Sequence, residues 1–203
     1  MKLSENTLAV LKNFASINSG VVLKAGQTQK TISPEKSILV EATLEDNLNT
    51  DFGIYDLNQF LGNVTTLKNP ELTFTKDSVT LDDGDFALNY LACSPSLIIS
   101  PPDKELALKT VDCKFALTNA TLQKLLKIAT MNSLPNLTVV GKDGDLRLKI
   151  HEKANDTSNH GSVKIGEYAG ADFTATFKTE NLKVLPDDYN VELQKNAFAK
   201  FEN

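Results

Sequence analysis

The chain contains an approximate copy of its own beginning, and that duplication limits what it can fold into. Residues 3–19, LSENTLAVLKNFASINS, align with residues 117–133, LTNATLQKLLKIATMNS, at a shift of 114 positions. Leu3/Leu117, Thr7/Thr121, Leu8/Leu122, Leu11/Leu125, Ala15/Ala129, Asn18/Asn132 and Ser19/Ser133 are identical, seven of the 17 pairs. Both stretches read as amphipathic helices. Ser4 and Thr118 are placed to cap them by accepting from free first-turn N–H groups. Leu3 and Leu117 stand just before the cap, at hydrophobic-staple spacing from Leu8 and Leu122. In the second copy Leu122, Leu125, Leu126 and Ala129 share one face. Lys124 and Lys127 then point roughly 150° from the centre of that face, one on either side.

A duplicated chain of 203 residues divides into two domains, 1–102 and 103–203, each large enough to bury a core. The hydrophobic fraction of 41% and charged fraction of 23% are those of an ordinary globular protein. Net charge is −5 and unevenly held: residues 1–102 carry 7 basic and 12 acidic residues, whereas residues 103–203 carry 14 of each. An acidic balance argues against nucleic acid as a partner. The helical charges argue the other way. Glu5 and Glu180 fall in first turns, where the helix dipole accounts for them. The other helical charges are Lys12, Lys124, Lys127 and Lys183, with Lys68 at a helix end, so the helices are expected to face something anionic.

Between the helices the pattern predicts short strands at 21–24, 28–32, 37–44 and 52–55, then a helix capped by Asp56 with Leu57, Phe60, Leu61, Val64 and Leu67 inward. Strands follow at 72–75, 79–81 and 86–91. Residues 94–104, SPSLIISPPDK, form the expected connector, kept extended by three prolines. The second half is expected to repeat this order. It has strands at 111–117, 137–140, 146–151, 163–168, 173–177, 189–193 and 197–201, and a short second helix capped by Thr179 and ended near Pro186.

Catalytic patterns are missing. The sequence has no phosphate-binding glycine loop, dinucleotide fingerprint, nucleophile elbow or HExxH motif. His151 and His160 lack obvious ligand partners, and Asp82, Asp83 and Asp85 read as a hairpin turn rather than a metal cluster. Cys93 and Cys113 show no metal or redox spacing and fit a reducing cytoplasm. No apolar run approaches the ~18 residues of a membrane span. No cofactor, metal or enzymatic activity is expected.

Four segments carry a family resemblance: the opening MKLSENTLAVLKNFASINSG, IYDLNQFLG at 54–62, LQKLLK at 122–127 and NLKVLPDDYN at 181–190. They resemble the sliding clamps of T-even-type bacteriophages, members of the DNA clamp family that includes proliferating cell nuclear antigen. The resemblance implies an α+β fold of two similar clamp domains per chain, each with two helices packed on antiparallel sheet. Three chains close into a ring with twelve helices lining its hole. It implies a processivity factor for viral DNA replication, which encircles double-stranded DNA and tethers the DNA polymerase. It further implies an ATP-dependent clamp loader and late-transcription factors as partners, in the host bacterial cytoplasm. Lys12, Lys68, Lys124, Lys127 and Lys183 become the expected DNA-facing residues. Leu97, Ile98 and Ile99 become the expected pocket for apolar peptide tails of polymerase and loader. Related clamps run past a KFEN-like segment through one more apolar strand, so the second domain is expected to lack its final strand at Asn203. Two other readings compete. One is a duplicated-domain structural or adaptor protein of a virion without DNA tethering; the other is a metal-dependent hydrolase using Asp82, Asp83 and Asp85.

Overall fold

The computed structural model describes residues 1–102, 108–155, 157–195 and 198–203. The expected connector end at 103–104, Ala197 at the start of the last expected strand, and Asp156 between the strands expected at 146–151 and 163–168 lie outside them. The chain divides into two compact units, Met1–Lys104 and Glu105–Asn203.

The first unit opens with α1 (Glu5–Ile17), followed by β1 (Val21–Leu23), β2 (Gly26–Ile32), β3 (Leu39–Leu48) and β4 (Phe52–Ile54). After these come α2 (Leu57–Thr66), β5 (Glu71–Phe74), β6 (Ser78–Asp82), β7 (Ala87–Leu91) and a 3-10 turn at Pro95–Leu97. The second unit holds β8 (Cys113–Leu117), α3 (Asn119–Met131), β9 (Asn136–Lys142), β10 (Asp145–His151), β11 (Gly161–Glu167) and β12 (Phe173–Lys178). A 3-10 turn at Thr179–Asn181, β13 (Tyr189–Gln194) and β14 (Phe198–Glu202) complete it.

Every ladder is antiparallel. The first unit pairs β1 with β4, β2 with β3, and β5-β6-β7 in order; the second forms β11-β10-β9-β12 and β14-β13-β8. The repeat extends into the pairing. Met1 exchanges both backbone hydrogen bonds with Leu72 of β5. Its counterpart Phe115 pairs with Val191 of β13. Residues before α1 thus hold the place that β8 holds before α3. The β9–β10 hairpin closes on Asp143-Gly144, both at positive φ (52° and 83°), the two-residue turn whose twist matches the flanking strands.

Both repeated helices begin as their sequences require. Ser4 Oγ accepts from Thr7 N–H at 3.1 Å, and Thr118 Oγ1 from Thr121 N–H at 3.3 Å. A carboxylate from elsewhere in each unit adds to the cap. Asp46 Oδ2 accepts from Ser4 N–H at 2.7 Å, and Asp188 Oδ1 from Asn119 N–H at 2.6 Å. Negative charge at a helix start is favoured by the aligned peptide dipoles. In the first unit Val10, Leu11, Phe14 and Ile17 are buried against the sheets, with Leu57, Phe60, Leu61 and Val64 beside them from α2. In the second, Leu122, Leu125 and Ala129 cover Val139, Leu146 and Leu148.

One expected element is absent. The sequence after Thr179 reads as a helix, but only a 3-10 turn forms, and Leu182 already leaves helical geometry at φ −83°, ψ 58°. Pro186 leaves room for fewer than two turns, and proline disfavours helical geometry in the residue before it. So short a helix does not repay its nucleation cost. Leu182 and Val184 instead pack directly against the core. Among the described residues, the second unit therefore has one α-helix, not two, and Lys183 lies in irregular chain.

Asp46 makes the helix cap dependent on pH. Burial pushes its carboxyl up, but hydrogen bonds from the Ser4 N–H and the Thr7 and Ser4 hydroxyls outweigh this and hold it below the ordinary 3.8. A lowered folded pKa stabilises above the ordinary value, and that stabilisation is lost as pH falls through the folded pKa. Asp46→Asn is expected to cost about 1–2 kcal/mol at neutral pH in urea denaturation. The gap to the parent should close in acid below the ordinary carboxylate range.

Candidate nucleic-acid interface

The lysines are placed by the helices that carry them. Lys124 and Lys127 are exposed, on the side of α3 away from Leu122, Leu125 and Ala129; Lys12 is exposed on α1. The repeat explains why α3 carries more of this charge. Lys124 aligns with Val10, which is only 5% exposed. In the first unit α1 packs beside α2, and Val10 is among its buried residues. No second α-helix stands beside α3 among the described residues of the second unit, and the corresponding flank is open. Ile128 and Met131 share that exposed side, at 37% and 75%.

The remaining expected cations differ. Lys68 is exposed two residues beyond the last residue of α2, and its backbone N–H donates to Asp83 Oδ2 at 3.0 Å. Lys183 is half-buried and does not share a helix with any other lysine.

The expected apolar trio does not act as one surface. Leu97 is 68% exposed and Ile99 48%, but Ile98 is 8% exposed and seated over the backbone of Gly20 and Gly53. Ile98 is thus part of the first unit's core, while its neighbours face outward. The expected extended connector is interrupted: Leu97 ends the 3-10 turn and extended backbone resumes at Ile98 (φ −110°, ψ 128°), a change that the sequence LII does not announce.

The acidic residues of the β6–β7 hairpin bind their own backbone. Asp82 Oδ1 accepts from Gly84 N–H at 2.8 Å, and Asp83 Oδ1 from Asp85 and Phe86 N–H at 3.1 and 2.9 Å. The Asp83 carboxyl is held below its usual range by the Lys68 N–H first and the Phe86 N–H next. Among the described residues no group of three or more His, Cys, Asp or Glu side chains is placed to hold a metal ion. His151 lies in β10 with Nε2 2.8 Å from Thr138 Oγ1. No helix of the described residues is long and apolar enough to cross a membrane. Sequence reasoning missed two residues: Asp46 on β3, whose spacing from Ser4 gives no local signal, and Asn18 at the end of α1, whose identity with Asn132 was the available clue.

Duplicated antiparallel sheet with a helix over each half is a known architecture. The fold matches that of proliferating cellular nuclear antigen from Entamoeba histolytica, with a TM-score of 0.67 over 97% of this chain and 88% of that one at 16% identity. It also matches that of A. fulgidus PCNA bound to the C-terminal region of FEN-1, with a TM-score of 0.70, coverage of 96% and 86%, and 14% identity. Sequence narrows the class. The sliding clamp of Enterobacteria phage T4 is 30% identical over 211 residues, covering 100% of this chain and 92% of that protein. The sliding clamp of Vibrio phage KVP40 is 29% identical over 207 residues, with 99% and 94% covered. Residues 2–99 match the family of the DNA polymerase processivity factor. The chain belongs to the sliding-clamp family of T4-like phages, whose members are DNA polymerase processivity factors.

The burial of Ile98 sets a clear contrast between neighbours. Ile98→Glu places a charge in an apolar seat and is expected to cost about 2–4 kcal/mol. Leu97→Glu is exposed and should stay within ~0.5 kcal/mol of the parent. Urea denaturation of both variants checks this.

Proposed function

We propose that three copies of this chain close head to tail into a ring around double-stranded DNA and tether the replicative DNA polymerase to its template. Head-to-tail contacts between unlike halves close after a fixed rotation. The observation that carries this reading is the exposure of Lys12, Lys124 and Lys127 on helix faces opposite their buried sides, in a chain whose net charge is −5. Lysines on the lining attract phosphates without reading bases. Acidic residues elsewhere repel DNA from the outside. On this reading Lys68 and Lys183, both outside the α-helices, add to the same field.

Three copies bring nine α-helices, counted among the described residues, rather than the twelve of the family pattern. Apolar tails of the polymerase and of an ATP-dependent clamp loader dock beside Leu97 and Ile99, the outward members of the trio. The clamp performs no chemistry of its own. It acts in the host bacterial cytoplasm, by enclosing DNA and recruiting partners, and it also serves late transcription through late-transcription factors.

Two measurements test the reading. Light scattering across a concentration series should give the mass of three chains; a stable dimer, or a monomer at high concentration, would sink the ring. Lys124→Glu combined with Lys127→Glu should reduce processive primer extension with loader present. It should also flatten the salt dependence of DNA binding, by about 0.9 in log–log slope for each phosphate left without its lysine. Its melting curve should shift little, since exposed substitutions usually stay within ~0.5 kcal/mol. Full processivity in a double variant that still assembles would reduce these lysines to a solvated face.

A further inference from the structure

Asn18 and Asn132 occupy the same position in the duplicated helices and make different bonds. Asn132 is exposed; its Nδ2 donates back to Ile128 O of its own helix at 2.9 Å, and its Oδ1 accepts from Asn159 Nδ2 at 3.0 Å. Asn18 is 6% exposed and turns away from its helix. Its Nδ2 donates to Ile32 O at 2.9 Å and to Ile99 O at 3.0 Å, and its Oδ1 accepts from Gly20 N–H at 3.1 Å. One buried amide therefore ties together the end of α1, the end of β2 and the start of the connector.

Two glycines complete the attachment. Cys93 N–H donates to Gly53 O at 2.8 Å, and a Cβ on Gly53 would collide with the Cys93 carbonyl oxygen. Ile98 lies across the same place, its Cγ2 and Cδ1 each 3.4 Å from where side chains on Gly20 and Gly53 would begin. Residues 93–99 are thus fastened at Cys93, at Ile98 and at Ile99. Their own turn bonds, Leu97 N–H to Ser94 O and Ile98 N–H to Pro95 O, hold the stretch between.

The geometry points to Asn18 as a positioning residue. With Gly20 and Gly53 it forms a latch that fixes residues 93–99, so that Leu97 and Ile99 are presented as a preorganised pair to a short apolar peptide tail. This rests on the reading that such tails dock beside the connector. The latch makes binding tighter because the segment is ordered before the peptide arrives, and that ordering cost is not charged to association. It also explains why the duplicated asparagine differs in its bonds. Asn132 is followed by the β9–β12 sheet and reaches no connector.

The test compares amide exchange at Cys93, Leu97 and Ile98 with the affinity for a fluorescent peptide carrying the C-terminal residues of the cognate phage DNA polymerase, both on the full chain. Asn18→Ala should speed exchange about five-fold, the factor for losing the one buried neutral hydrogen bond of its three that reaches the connector, and weaken the peptide by a similar factor. Ile98→Ala should act in the same direction without touching the end of α1. Asn132→Ala should change neither readout. Val10→Ala loosens α1 through a cavity and lowers the melting temperature, but should leave peptide affinity unchanged. Unaltered peptide affinity in both Asn18→Ala and Ile98→Ala would overturn the positioning role. Equal weakening in Val10→Ala would overturn it too, by assigning the effect to general destabilisation. A parent that binds no peptide overturns the docking reading instead, and the exchange comparison then decides the latch alone.

Discussion

A helix laid over antiparallel sheet begins with backbone N–H groups that the sheet cannot satisfy. Each half of this chain meets that constraint twice, with a hydroxyl from the residue before the helix and a carboxylate from a distant segment. Ser4 and Asp46 serve α1; Thr118 and Asp188 serve α3. Because Asp46 lies on β3, its bond fixes the helix to the sheet at one end as the apolar face does along its length. Together they determine the rotation of the helix about its axis. Which lysines face outward follows from that rotation, so the candidate interface depends on the caps.

The two halves then diverge through what lies beside the helix. In the first, α2 widens the apolar cover and the position of Val10 is closed. In the second, the chain after Thr179 stays irregular, and the aligned position is Lys124. Charge on α3 is therefore a packing consequence as much as a compositional one. A flank without a neighbour has room for charge beside Ile128 and Met131, and a cation there serves an anionic partner at little cost to folding.

The caps and helices were legible because their signals are local. Ser4, Thr118 and Asp56 each accept from the N–H three residues on, as their spacing predicts. Asp143-Gly144 likewise announces its hairpin. The helix expected after Thr179 failed because the spacing of Leu182 and Leu185 mimics a turn of helix, while Pro186 and the short run deny it length. The burial of Ile98 was not legible for a different reason. Its burial depends on Gly20 and Gly53, distant in sequence, whose missing side chains make the seat. Lys12, Lys124 and Lys127 lie exposed on their helices, as helical periodicity decides, whereas Lys183 lies outside any helix because the expected one does not form.

The different endings of α1 and α3 have a consequence for the symmetry of the molecule. The extended cap at Asn18 (φ −143°, ψ 133°) directs the chain straight into β1, whereas Asn132 (φ −108°, ψ 8°) is followed by Ser133 at φ 53°. A backbone that leaves its helix in two different directions cannot accept the same downstream strands. The halves share an ancestor's pattern but are no longer interchangeable. A chain built from two first halves, or two second halves, would keep both helix caps and lose one of the two exits. The duplication has thus become directional, giving the polypeptide a head and a tail that no exchange of parts preserves.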